Sequence, residues 1–137
     1  MTKNLTDNLF QDVQVAVVIP CFKVTKQIVN VISAVPSGVW RIYIIDDACP
    51  DGSGKMVNKN VTDPRAKVIF HSKNLGVGGA VITGYKAAIL DGADVIVKVD
   101  GDGQMDPLLI PDFIFPIIIG EADYTKGNRF FDLEEIR

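Results

Sequence analysis

The sequence predicts an α/β fold with a mostly parallel central sheet between two layers of helices. Three observations carry that expectation. Short, nearly continuous runs of β-branched and aliphatic residues recur along the chain, as buried strands require. Stretches with helical spacing or helix-forming composition separate them, the order that builds parallel sheets by right-handed crossovers. Each run also breaks off at proline, aspartate, histidine or glycine, residues that end strands and open loops.

Val15-Ala16-Val17-Val18-Ile19-Pro20 reads as a first buried strand stopped by proline. A helix is expected within residues 25–34, where Ile28, Val29, Val31 and Ile32 share helical spacing before Pro36-Ser37-Gly38. Residues 41–45 form a second strand running into Asp46-Asp47, and Pro50-Asp51-Gly52 marks a turn. A short helix to about residue 60 and a third strand over 66–70 follow. Residues 79–90 predict a longer helix, and 95–99 a fourth strand. A helix over 108–119 tolerates Pro111 in its first turn but should be kinked or shortened at Pro116. Residues 123–126 suggest a fifth strand.

With 137 residues, 47% of them hydrophobic and 23% charged, residues 1–137 read as one ordered domain able to bury a core. A net charge of −3 with no basic patch argues against a nucleic-acid partner. Cys21 and Cys49 are too few for a disulfide framework and are expected to be reduced. The polar residues 1–12 do not resemble a secretory leader, and residues 113–119 are too short to span a bilayer. The chain stops at Arg137 with no closing element in view, so a longer protein is expected.

The most informative segment is Asp100-Gly101-Asp102-Gly103-Gln104-Met105-Asp106-Pro107, directly after the fourth strand. Two acids one residue apart at a strand end repel each other unless a cation joins them. Hard carboxylate oxygens suit Mg²⁺ or Mn²⁺. An ion held by so few protein ligands usually completes its shell with substrate phosphates. An acidic surface turn is the competing explanation. Gly101 lets the backbone leave the strand sharply and approach a ligand.

In a parallel sheet, Pro20-Cys21-Phe22-Lys23, Asp46-Asp47, Asn74-Leu75-Gly76 and Asp100-Gly101-Asp102 all fall on the carboxyl edge, where open α/β folds bind ligands. An aromatic, two acid pairs and a glycine-rich turn converging there would suit a nucleoside diphosphate. Two commoner nucleotide motifs fail. Gly52-Ser53-Gly54-Lys55-Met56 ends like a P-loop, but Cys49 stands in place of its first glycine and Met56 in place of its hydroxyl. Gly76-Val77-Gly78-Gly79-Ala80-Val81 opens like a dinucleotide fingerprint but has Val81 where the third glycine belongs. His71, without other metal-type ligands around it in sequence, reads as an ordinary strand-end residue, and the two thiols as packing groups.

Taken in order, Val17-Val18-Ile19-Pro20-Cys21-Phe22, Ile44-Ile45-Asp46-Asp47, Asp51-Gly52-Ser53 and Asn74-Leu75-Gly76-Val77-Gly78-Gly79-Ala80 resemble the family 2 glycosyltransferases. Asp100 to Pro107 and Lys126-Gly127-Asn128-Arg129-Phe130 extend the resemblance across residues 13–131. The branch it looks most like holds dolichyl-phosphate mannose synthase and the polyprenyl-phosphate glycosyltransferases. The resemblance implies a GT-A fold, a UDP- or GDP-sugar donor, inversion at the anomeric carbon, and a polyprenyl or dolichyl phosphate acceptor. It implies that Pro20 and Phe22 line the base and ribose pocket, and that Asp47 and Asp46 accept hydrogen bonds from the base. Gly76 lies in the glycine-rich turn of the same donor site. Asp100 lies near ribose and diphosphate, Asp102 and Gln104 hold Mg²⁺ or Mn²⁺, and Arg129 lies near the donor phosphates. Lys23 and Val24 stand where the family often carries an asparagine and an acid.

The family's catalytic base belongs to the acceptor-binding half, expected beyond residue 137, so this chain is expected to be a donor-binding portion. A cytoplasmic location is implied, on the cytoplasmic face of a membrane for the intact protein. A sugar nucleotidyltransferase is the alternative enzyme, although it would carry a glycine-rich basic loop after the first strand. A non-catalytic nucleotide-sugar-binding module is the alternative outside catalysis.

Overall fold

A computed structural model describes residues 10–118 of the chain. The expected fifth strand and Arg129 lie outside the described residues. Four parallel strands form one sheet in the order β3-β2-β1-β4: β1 (Val15–Cys21), β2 (Arg41–Asp46), β3 (Ala66–Phe70) and β4 (Val95–Lys98). The helices between them are α1 (Ile28–Ser33), α2 (Ser53–Asn60) and α3 (Gly76–Asp91). A 3₁₀ turn (Pro107–Leu109) leads into α4 (Ile110–Ile118), whose described part runs through Pro116. Each predicted strand in the described region is found, with its boundaries within one residue.

The alternation of side chains along β1 divides the interior into two cores. Val15, Val17 and Ile19 face one way, packing with Ile42 and Ile44 of β2, Ile28 and Ile32 of α1, Val57 of α2, and Ile110 and Ile114 of α4. Ala16 and Val18 face the other way, with Tyr43, Ile45, and Ala80 and Ala88 of α3. Both inner strands are buried on both faces, which explains their unbroken apolar runs. On the α3 side, the buried Tyr43 hydroxyl donates to Asp91 Oδ2 at 2.7 Å. Gly84 is where α3 crosses β1, and a Cβ there would run into Val18.

Registry aligns the carboxyl ends. Cys21 pairs with Asp46, and Asp46 with Phe70, so the loops after β1, β2 and β3 leave from one row. Val99 continues the β4 ladder by donating to Val18 at 2.9 Å, and Gly101 then passes over the end of β1. A Cβ on Gly101 would lie 3.3 Å from the Pro20 carbonyl oxygen, so close backbone approach accounts for this glycine.

Gly84→Val should destabilise the chain by about 1–3 kcal/mol, because overpacking against Val18 forces the helix off the sheet. Urea unfolding measures this, and an unchanged midpoint would contradict the crossing described.

Candidate functional site

Six of the residues singled out in the sequence line one cleft at the carboxyl edge: Pro20, Phe22, Asp47, Asp100, Gly101 and Asp102. The cleft measures about 190 Å³ and is completed by Cys21, Val24, Val77 and Ala80. Asp102 also borders a second cleft of about 410 Å³, walled by Lys26 and Gln27 just before α1, by Asn30 of α1, and by Gly103, Met105, Asp106 and Pro107. The acid of the glycine-flanked motif therefore stands where the two hollows meet.

Asp47 is the most heavily engaged group of the site. Its Oδ1 accepts from the Leu75 amide and from His71 Nδ1, each at 2.8 Å, and its Oδ2 accepts from the Gly76 amide at 2.8 Å. Its carbonyl oxygen accepts from Asn74 Nδ2 at 3.1 Å. Burial pushes the Asp47 carboxyl up, but the donors from Leu75, His71 and Gly76 outweigh it and hold the group below the ordinary carboxylate value. These amides have no acceptor within α3; locally only Asn74 Oδ1 accepts, from the Gly76 amide at 3.1 Å. The principal cap comes from Asp47, the acid that follows β2. This is why α3 starts at Gly76, three residues before the sequence-expected start at residue 79. Gly76 has φ +83°, which favours glycine at this position.

Asp46 points its carboxylate elsewhere. It is buried and does not line the cleft; Oδ1 accepts from the Cys49 amide at 2.7 Å and Oδ2 from the Gly54 amide at 2.8 Å. A Cβ at Gly54 would meet Asp46 Oδ2 at 2.6 Å, so the start of α2 presses directly on this acid. One acid thus shapes the loop after β2 and the other the loop after β3.

The loops after β1 and β2 are tied by Cys49 and Ser53. The Lys23 amide donates to Cys49 Sγ at 3.1 Å and the Val24 amide to Ser53 Oγ at 3.2 Å. Lys23 and Ala48 both have positive φ, 57° and 56°, a conformation costly for side-chain-bearing residues and common beside functional sites. Phe22 is 41% exposed, with Lys23 Nζ 5.4 Å from its ring centroid. Both cysteines are free, as the sequence suggested.

Asp100 pairs with Lys98 Nζ at 3.0 Å on the exposed rim. Asp102 is exposed, and its Oδ1 accepts from the Gln104 amide at 3.0 Å. Gln104 is exposed, lines neither cleft and contacts Asp102 through its backbone. Among the described residues no three His, Cys, Asp or Glu side chains cluster as a closed metal cage. An open carboxylate rim fits a hard cation that draws its remaining oxygens from phosphate and water.

His71 is the contact to the site acids that the sequence did not reveal. Its side chain is 9% exposed and bridges Asp47 Oδ1 to Thr83 Oγ1, with 2.8 Å at each ring nitrogen. Only the spacing of a lone histidine one residue past a strand end could have hinted at it. No helix among the described residues is long and apolar enough to cross a membrane.

The chain matches the Glycosyl transferase family 2 profile over residues 16–137. It is 33% identical over 140 residues to a UDP-N-acetylglucosamine–dolichyl-phosphate N-acetylglucosaminyltransferase of Methanococcus voltae, covering 92% of this chain and 56% of that protein. Over 121 residues it is 30% identical to a dolichol-phosphate mannosyltransferase of Pyrococcus furiosus, covering 85% of this chain and 33% of that protein. Among solved structures, it superposes on glucosyl-3-phosphoglycerate synthase of Mycobacterium tuberculosis, crystallised with Mn²⁺, UDP and glucosyl-3-phosphoglycerate. The TM-score is 0.66 at 19% identity, covering 85% of this chain and 43% of that one. The fold is thus the GT-A type expected, and the chain spans about half the length or less of these proteins.

Because its folded pKa is depressed, Asp47 adds stability above the ordinary carboxylate range, and that contribution is lost as pH falls through its own lower pKa. At neutral pH Asp47→Asn should cost about 1–3 kcal/mol by setting an amide against backbone donors. The gap to wild type should narrow as the pH falls below the ordinary carboxylate value and keep narrowing with further acidification. Thermal melts across this range decide; a gap independent of pH would contradict the assignment.

Proposed function

The chain belongs to glycosyltransferase family 2, and from that premise we propose that it is the donor-binding portion of an inverting, metal-dependent glycosyltransferase. The donor is a UDP- or GDP-sugar and the acceptor a polyprenyl or dolichyl phosphate. One observation carries this reading: six residues from three separate strand-end loops line a single cleft whose rim acid, Asp102, opens onto a second.

The ligand's parts follow from the chemistry of the walls. Phe22 and Pro20 offer flat apolar surface to base and ribose, and Asp47 offers acceptor capacity to a base N–H. Gly76 brings the start of α3 against Asp47, and Gly101 lets the backbone pass closely over β1. Asp46 acts one step back, holding the loop that carries Asp47. Asp100 faces ribose and diphosphate, and Asp102 carries the cation, with Gln104 completing the turn around it. Arg129 is assigned to the donor phosphates. Mg²⁺ or Mn²⁺, when bound, stabilises charge on the departing diphosphate oxygens. The Mn²⁺ and UDP bound by the mycobacterial synthase support this choice of ligand.

The second cleft borders Asp102 on the side away from the base, which leaves room for the sugar and an approaching acceptor. A lipid-phosphate acceptor is supported by the two archaeal relatives, whose names specify dolichyl or dolichol phosphate. The acceptor-activating base belongs to sequence beyond residue 137, and the intact enzyme works at the cytoplasmic face of a membrane. A nucleotidyltransferase is disfavoured because Pro20-Cys21-Phe22-Lys23 lacks a glycine-rich basic loop.

Titration calorimetry tests the reading. A nucleoside diphosphate should bind measurably only with Mn²⁺ or Mg²⁺ present, and Asp102→Ala should remove the metal dependence. Equal binding with and without metal would refute the cation role of Asp102.

A further inference from the structure

His71 and Thr83 do not line the cleft and the proposed chemistry does not call on them, yet His71 is bonded to Asp47 and Thr83 to His71. The Asp47 carboxylate is ionised and can only accept, so His71 Nδ1 carries the hydrogen in that contact. The other ring nitrogen meets Thr83 Oγ1 at 2.8 Å on the inner side of α3, so the imidazole is held at both ends. A carboxylate has about four acceptor sites, two on each oxygen. Both sites of Oδ1 are taken, by the Leu75 amide and His71, and one site of Oδ2 is taken by the Gly76 amide. One remains, on Oδ2.

That remainder discriminates between the two bases. Guanine presents N1–H and the exocyclic N2–H side by side, and a carboxylate reads the pair with one lone pair from each oxygen. Uracil presents N3–H alone, flanked by two carbonyl acceptors. Building on the donor-site reading above, we infer that Asp47 can take only one hydrogen bond from the base, because His71 fills Oδ1, and that the donor is therefore a uridine rather than a guanosine diphosphate sugar. His71 is a positioning residue in this scheme, acting through Asp47, and Thr83 fixes its ring. A guanine placed here would leave one of its two donors buried against an oxygen with no lone pair to spare.

The test is calorimetry on the chain with UDP and with GDP, both with Mn²⁺. UDP should bind about tenfold or more tighter, the scale of one unmatched buried hydrogen bond. His71→Phe vacates a site on Oδ1 and should narrow the UDP-to-GDP ratio. His71→Asn supplies a side-chain N–H in place of Nδ1 and should restore it. A loosened scaffold would weaken both nucleotides together and leave the ratio unmoved. Metal-dependent binding of GDP as tight as UDP overturns the base assignment and spares the donor site; an unchanged ratio in a folded His71→Phe overturns the role given to His71. Failure of both nucleotides to bind overturns the two together. The wild-type ratio decides even if the phenylalanine variant does not fold.

Discussion

The site depends on one carboxylate accepting backbone donors from another loop. Asp47 directly follows β2 and accepts the first amides of α3, so two crossover units are joined at the point where their loops meet the cleft. Hydrogen bonds to a charged group contribute about 1.5–3 kcal/mol each, well above the usual net value for neutral pairs. The positive end of the helix adds to that attraction. Without this bond the amides of Leu75 and Gly76 would have no partner from the helix itself, and the cleft's α3 wall, Val77 and Ala80, would lose its anchor.

Asp46, one residue earlier, has the same chemistry and the opposite assignment. Successive residues of a strand point to opposite faces, so two adjacent acids cannot serve the same loop. Asp46 turns toward α2 and fastens Cys49 and Gly54, and Ser53 and Cys49 then fasten Lys23 and Val24 across the cleft. Left-handed backbone at Lys23 and Ala48 persists because these cross-loop bonds hold it there. The result is a preorganised crevice, its floor formed by strand ends and its walls by interlocked loops. The acids at its rim, Asp100 and Asp102, remain open to solvent, where hard oxygens suit a divalent cation.

Much of this was legible in the amino-acid order. Apolar runs such as Ile42 to Ile45 are readable because burial on both faces removes polar alternation, and parallel pairing places their ends on one edge. Convergence of Phe22, Asp47 and Asp102 follows from that topology alone. What did not show was the partnership of polar groups distant in sequence. Asp46 and Asp47 look equivalent as neighbours, and only the folded loops separate a buried brace from a cleft acid. His71 looked ordinary because its partners, Asp47 and Thr83, are 24 and 12 residues away. The earlier start of α3 was hidden for the same reason, since its main cap is Asp47 after β2, with Asn74 adding only one local bond. Gln104, expected as a metal ligand by resemblance, is joined to Asp102 by its backbone amide.

The central claim is spatial: cation and nucleotide meet at the carboxyl edge, between Phe22, Asp47 and Asp102. Paramagnetic broadening of amide resonances by Mn²⁺ in the presence of UDP tests it most directly. Signals from residues 21–23, 47–49 and 100–104 should be lost first, while Gln14, Val39, Arg65 and Asp94 at the opposite edge of the sheet stay sharp. Broadening that begins at the opposite edge, or that spreads evenly over both, would contradict the account.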